Sequence, residues 1–237
     1  LWKNNYKGPC KVINIKKNNK IITSRQLNEF ETFIRDGEAI DIINKVKDEM
    51  NNFSSVVFSS KPFGLRSYIV GYKEPKINSV KLFGSHGISY VDIEDVIINK
   101  ELIEKWKVIM SKTSAEHAGQ SDKEGRKKVI SKIEVLPPNV ICTESYLLLS
   151  VFDDESEAFN LKNYMKTKLV RFLLSTILLT QNIAKDKFQF VPLQDFTSSS
   201  DIDWSKPIAD IDRQLYAKYG LTDEEIAFIE SMIKPME

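Results

Sequence analysis

The period of the apolar positions changes several times along the 237 residues, and each change marks an expected element. "KVINIKKNNKIIT" (11–23) sets short apolar pairs around a polar centre, which predicts a hairpin turning near residues 17–20. The spacing then lengthens. Leu27, Phe30, Ile34, Ala39, Ile42, Ile43 and Val46 recur at three- and four-residue intervals, the pattern of a helix, with Ser24 placed to cap it. Gly37, within "RDGEA", is a candidate interruption because glycine lowers helix propensity by about 1 kcal/mol relative to alanine. "SSVVFSS", "LRSYIVG" and "INSVKLFG" are β-branched or aromatic runs bounded by Gly, Pro and Ser, and predict strands. "FGSHGISYV" predicts a hairpin whose glycines supply positive φ. "DIEDVIINKELIEKWKVIM" predicts a short helix passing into a strand that ends at Met110.

Residues 111–128, "SKTSAEHAGQSDKEGRKK", hold almost no apolar side chain and predict a long surface loop of a length that is uncommon unless functional or disordered. "PPNVICTESYLLLSVF" predicts a core strand. Asp154 or Ser156 is placed to cap one long helix from about residue 155 to 182, with Phe159, Met165, Leu169, Phe172, Leu173, Ile177 and Leu178 on a broad face. In "KFQFVPLQDF" (187–196) the alternation of Phe188 and Phe190 predicts a strand that Pro192 ends. "TSSSDIDWSKP" is the clearest boundary, and beyond it two helices are expected, the first ended by Gly220 and the second capped by the box Thr222-x-x-Glu225. The expected class is α+β: a mixed or antiparallel sheet domain with a long packing helix and a helical C-terminal tail. The expected segments are 1–54 (helical segment or linker), 55–196 (the sheet domain) and 197–237 (the tail).

Composition narrows the function classes. Hydrophobic content of 42% and charged content of 28% are globular values. Cys10, Cys142, His86 and His117 are too few and too scattered for a zinc site or a disulfide framework, so a reducing, cytoplasmic compartment is expected. The longest apolar run, "LVRFLLSTILL", is interrupted by Arg171 and reaches about half the ~20 residues of a membrane span. The net charge of +1 conceals segregation: residues 160–187 carry six basic side chains against Asp186 alone, and residues 61–81 carry five against Glu74. From 192 onward ten acidic residues face four basic ones. Such an arrangement permits a basic face for a polyanion, although lysines also simply solvate helix faces.

Catalytic patterns are missing. The chain has no phosphate-cradling glycine loop, no G-x-S-x-G and no H-E-x-x-H. The carboxylate-x-lysine match Glu74–Pro75–Lys76 lacks an acidic partner upstream, and its proline would spoil the strand a nuclease centre needs. Cys142 reads as a buried strand cysteine.

Six stretches in order carry a resemblance: "KPFGL" (61–65), "WKVIMSK" (106–112), "ICTESYLLL" (141–149), "NYMKTKLVRFLL" (163–174), "FQFVPLQDF" (188–196) and "LYAKYGLTDEEIAFIESMIK" (215–234). Together they resemble the C-terminal target-recognition region of adenine-specific DNA methyltransferases from restriction–modification systems, of the type II and type III-like groups. The resemblance runs from about residue 55 to the C-terminus. It implies the DNA-reading half of an adenine-N6 methyltransferase, since the family's cofactor-binding glycine motif and N-P-P-Y tetrad lie N-terminal to such a region and neither occurs here. The start at Leu1 agrees with a piece of a longer chain. The implied partners are double-stranded DNA and the methyltransferase or restriction domains of the parent. S-adenosylmethionine would bind the parent's catalytic domain, with no cofactor, catalytic residue or metal expected in this part.

Recognition needs cations on phosphates and polar side chains on base edges. The expected phosphate contacts are Lys61, Arg66, Lys112, Arg126, Lys127, Lys128, Lys166, Lys168 and Arg171. Ser111, Thr113, Ser114, His117, Gln120 and Arg126 in the 111–128 loop, with Thr143 and Ser145 on the "CTESYLLL" strand, are the base-reading candidates. Glu144 can accept from a cytosine amino group or make a structural hydrogen bond, Phe63 and Tyr68 are expected to pack rather than stack on bases, and Gln194 and Asp195 to orient a turn. The rival class is a protein-docking module using Ile226, Phe228, Ile229 and Met232 of the tail.

Overall fold

The computed structural model describes residues 8–16, 19–116 and 121–236. The first two strands, β1 (Cys10–Lys16) and β2 (Asn19–Arg25), form the expected hairpin, with Lys16 opposite Asn19. Ser24 is therefore not a helix cap: it sits in the ladder opposite Lys11. Helix α1 spans only Ala39–Val46, beginning just past Gly37. A Cβ at Gly37 would approach the Thr23 methyl to 2.7 Å, so this glycine lets the chain recross β2 closely before the helix starts. Ala39, Ile42, Ile43 and Val46 are the face α1 buries.

Two three-stranded sheets follow. In the first, β3 (Ser79–Gly84) is central, antiparallel to β4 (Gly87–Asp92) and parallel to β7 (Val140–Cys142). In the second, β5 (Trp106–Ser111) is central, antiparallel to both β6 (Ile133–Leu136) and β8 (Tyr146–Phe152). The fold is α+β with mixed and antiparallel sheets. The stretches 54–60 and 65–71 are not strands. A one-turn 3-10 helix occupies Phe53–Ser55, and left-handed residues at Lys61, Gly64 and Gly71 break any extended run, leaving only the bridge Tyr72–Tyr90. The single strand expected over 137–152 is split by a turn at 143–145, where Tyr146 N donates to Thr143 O at 3.2 Å. That turn carries the chain from one sheet to the other.

The second sheet is apolar on both faces. Leu147 and Leu149 of β8, with Val108 and Met110 of β5, enter the larger core beside α1 and α3. Tyr146 and Leu148, with Ile109, enter a smaller core with Leu82, Val91 and Ile141. Val108 and Ile109 pair with Ser150 and Leu148, so the extra residue of the bulge, Leu149, lies in β8.

The long helix is two helices, α2 (Glu155–Lys166) and α3 (Lys168–Ile177), turned at an extended Thr167. Asp154 caps α2 through Ser156 N. Buried Thr167 serves both neighbours: its hydroxyl donates to Tyr164 O at 2.6 Å and accepts from Val170 N at 3.4 Å. The Asp212 carboxylate, arriving from α4 (Ile208–Lys218), accepts from Lys168 N and Leu169 N. Periodicity cannot expose such a break, because both halves keep helical spacing.

"FQFVPLQDF" is not a strand either. A 3-10 turn covers Lys185–Phe188, and Phe188, Phe190, Val191 and Phe196 all enter the larger core. Backbone bonds from Phe53 N to Val191 O (2.7 Å) and Leu193 N to Asn51 O (2.9 Å) replace a ladder. Buried Gln194 donates to Tyr219 Oη at 2.7 Å and accepts from Lys218 Nζ at 2.9 Å, while Asp195 accepts from Thr197 N. These side chains fasten the tail. Gly220 ends α4, and α5 (Asp223–Met232) opens on the expected Thr222/Glu225 box. Ile211, Leu215 and Ile229 are fully buried in the larger core, with Ile226, Phe228 and Met232 packed against it, so the apolar side of the tail is already covered. No helix among the described residues is long and apolar enough to cross a membrane.

Candidate nucleic-acid interface

Four of the expected contact residues meet at the seam between the two sheets. Ser111 ends β5 opposite Tyr146, Lys112 N donates to Ser145 O at 3.3 Å, and Ser111 Oγ accepts from Thr113 N at 3.2 Å. Ser111, Lys112, Thr113 and Ser145 thereby line one side of an open cleft of about 560 Å³. Ser67 and Ser85, linked by a 3.4 Å bond from Ser85 Oγ to Ser67 O, contribute further hydroxyls. Neither serine stands out in sequence, because the left-handed turns around Gly64 and Gly71 bring 67 to the β3–β4 turn and no periodicity encodes that.

Lys112 is the hinge of the site. Its ammonium donates to Ser60 Oγ at 2.8 Å, and the same side chain borders a second pocket of about 540 Å³ floored by Phe58 and Leu147 and edged by Asn182 and Lys185. Partial burial lowers the Lys112 pKa, Glu144 and Cys142 oppose that shift, and the Lys61 charge reinforces it. Lys61 therefore shares the field of the cleft. Arg66 is exposed beside Leu65, whose carbonyl accepts from Glu144 N at 2.9 Å. Lys132, unremarked in the sequence, adds a cation at the rim, 4.5 Å above the Phe83 ring and 5.9 Å from that of Tyr146. Phe63 is fully buried, as expected, but Tyr68 is 74% exposed and does not pack.

The other candidates lie elsewhere. Thr143 is fully buried beneath the turn, and Ser114 is buried with its hydroxyl donating to Glu116 O at 2.9 Å, so neither is placed to touch a duplex. Arg171 is likewise fully buried: Nε donates to Lys166 O and Thr167 O, and an Nη reaches Lys128 O at 3.2 Å. It is a structural arginine placed where the seam of α3, the tail and residue 128 closes. Lys168 is ion-paired with Glu230, and Arg126 with Glu124. Lys127 and Lys166 are half-buried, Lys127 bonded through its N–H to Met232 O, and Lys128 is exposed. The described part of the 111–128 stretch is tethered rather than free: Glu116 accepts from Lys128 N and Val129 N, and Asp122 pairs with Lys234. His117 and Gln120 lie outside the described residues.

Among the described residues no three His, Cys, Asp or Glu side chains stand close enough to hold a metal ion. The Cys142 thiol is buried, which pushes its pKa up to about 12 and makes it a poor nucleophile. Lys107, also buried, has a pKa lowered to about 8 by burial, but all three protons are used on the carbonyls of Leu102, Ile103 and Lys105. It closes a turn. The cleft can thus bind through hydroxyls and cations. No protein-family model and no curated protein sequence matches the chain.

Proposed function

We propose that the chain binds duplex DNA, as the target-recognition part of an adenine-N6 DNA methyltransferase of a restriction–modification system. The observation that carries this reading is the convergence of Ser111, Lys112, Thr113 and Ser145, from two separate stretches of sequence, on one open polar cleft. Hydroxyls and backbone-anchored lysines are the groups that contact phosphate and base edges. Lys61, Arg66 and Lys132 supply further positive charge around the cleft, where the duplex backbone would run. The six ordered motifs that resemble the methyltransferase recognition region span the turn, both flanking strands and the tail that braces them. Methyl transfer and S-adenosylmethionine binding belong, in this reading, to a catalytic domain of the parent.

The test is fluorescence-anisotropy titration of labelled duplex and single-stranded DNA across a salt series. Neutralising three or four phosphates gives a log–log salt slope of about −3 for duplex. Binding that is absent at low salt, or that ignores salt, would overturn the proposal.

A further inference from the structure

One acidic side chain stands in this otherwise cationic and hydroxyl-lined cleft. Glu144 is half-buried and firmly held: its N–H donates to Leu65 O at 2.9 Å, and its Oε1 accepts from Ser67 N at 3.2 Å. The flanking chain is fixed as well, by Tyr146 N to Thr143 O and Lys112 N to Ser145 O. Lys112, on whose charge Glu144 acts, gives its hydrogen bond to Ser60. One carboxylate edge is therefore anchored by the backbone while the group as a whole faces the cleft.

A carboxylate beside phosphates is repelled, so in a DNA-binding cleft it is useful only toward a donor. In the major groove the donors are the exocyclic amino groups of cytosine and adenine. Adenine presents N7, an acceptor, beside its amino group, and N7 would confront the second carboxylate oxygen. Cytosine presents N4 without an adjacent acceptor. Resting on the duplex-binding reading above, we propose that Glu144 is a specificity-determining residue that selects a cytosine by accepting a hydrogen bond from its N4 amino group, with Ser67 N as the group that positions it.

The experiment uses the whole chain and competition binding against duplexes randomised over a short window, for the unmodified protein and for Glu144→Gln and Glu144→Ala. Glutamine keeps an acceptor for Ser67 N, so the turn survives, but it turns an NH₂ donor toward the base. The unmodified protein is expected to prefer one C·G pair in a fixed orientation by about tenfold or more. Replacing that cytosine with a 2-pyrimidinone, which lacks the amino group, should cost the unmodified protein the same factor and cost Glu144→Gln nothing. Binding of Glu144→Gln to random duplex should be tighter, because a charge that repels phosphate is gone. Equal weakening on every duplex, or an unaltered base preference in both variants, assigns Glu144 to holding the turn and overturns the inference while duplex binding stands. Salt-sensitive binding without any base preference also overturns it. Loss of duplex binding by the unmodified protein instead removes the reading on which it rests.

Discussion

Two groups of basic residues occupy different sites in the molecule and have opposite fates. Around the cleft, Lys61, Arg66, Lys112 and Lys132 keep their charges at or near the surface, and the Lys112 ammonium donates to a serine hydroxyl. At the junction of α3 with the tail, Arg171 is sealed in and Lys168 is committed to Glu230. The residue types are the same. What differs is what faces them: hydroxyls, solvent and the carboxylate of Glu144 at the cleft, carbonyls and the carboxylates Asp212 and Glu230 in a sealed junction. A charge sealed away from solvent holds a fold together, whereas one that solvent can reach can meet a ligand.

Four changes would break or sharpen that contrast. The largest effect is expected from Arg171→Ala, which removes the cation acting on buried Asp212 and the side-chain donors to the carbonyls of Lys128, Lys166 and Thr167. It should lower stability by about 3–5 kcal/mol, read as a fall in the urea midpoint, whereas Arg66→Ala should stay within about 0.5 kcal/mol. An unchanged midpoint in Arg171→Ala would erase the distinction between the two regions.

Next comes pH. Burial raises the Asp212 carboxyl from 3.8 to about 6; Glu230 adds to the shift, while the N–H groups of Lys168 and Leu169 and the charge of Arg171 oppose it. The unfolded chain gives up this proton near pH 4 and the native protein near pH 6, so between them the native state holds the extra proton. This contribution to stability is full below about pH 4 and is lost as pH rises through about 6. Urea unfolding at pH 4, 5, 6 and 7 should show a decline that Asp212→Asn flattens, and an identical slope in the variant would remove Asp212 as its source.

Charge reversal compares the regions directly for binding. Lys112→Glu combined with Arg66→Glu should weaken duplex binding about tenfold or more at moderate salt and make the salt slope shallower by about two. Lys168→Ala should leave both quantities as they were. If Lys168→Ala weakens binding as much as the double reversal does, the cleft is not the DNA face. The smallest effect belongs to Thr167→Ala, which removes the cap of α3 and should cost about 1 kcal/mol, with DNA affinity unchanged for the folded protein.

Much of the scaffold could be read locally. Hairpins carry their signals within a few residues, as at 10–25 and 79–92, and helix caps such as Asp154 and the Thr222/Glu225 box need no distant partner. The errors arise where a distant group decides. Thr167 turns a seemingly continuous helix because Asp212, far along the chain, satisfies the new N-terminus. The apparent alternation in 187–196 fails because Phe190 and Val191 are both buried in one core. Arg171 interrupts an apolar run, and that placement marks burial as much as charge. At the cleft, Ser111, Lys112 and Thr113 were legible as polar residues of a loop, and Ser145 as a polar residue of a strand. Ser67, Ser85 and Lys132 were not, because they reach the site through turns and a ring contact rather than through strand order.

The sheet that faces two cores imposes a parity on the molecule. A change at Leu147 or Leu149 is felt on the side of α1 and α3, while a change at Leu148 is felt on the side of β3 and β7. Sliding β8 by one residue against β5 would exchange these side chains between two differently shaped interiors at once, so neither interior can relax to accommodate it. Such a strand is locked in phase from both sides. Ser111 and Tyr146 sit at the end of that locked pair, and the lip of the cleft inherits its position from an interior it never touches.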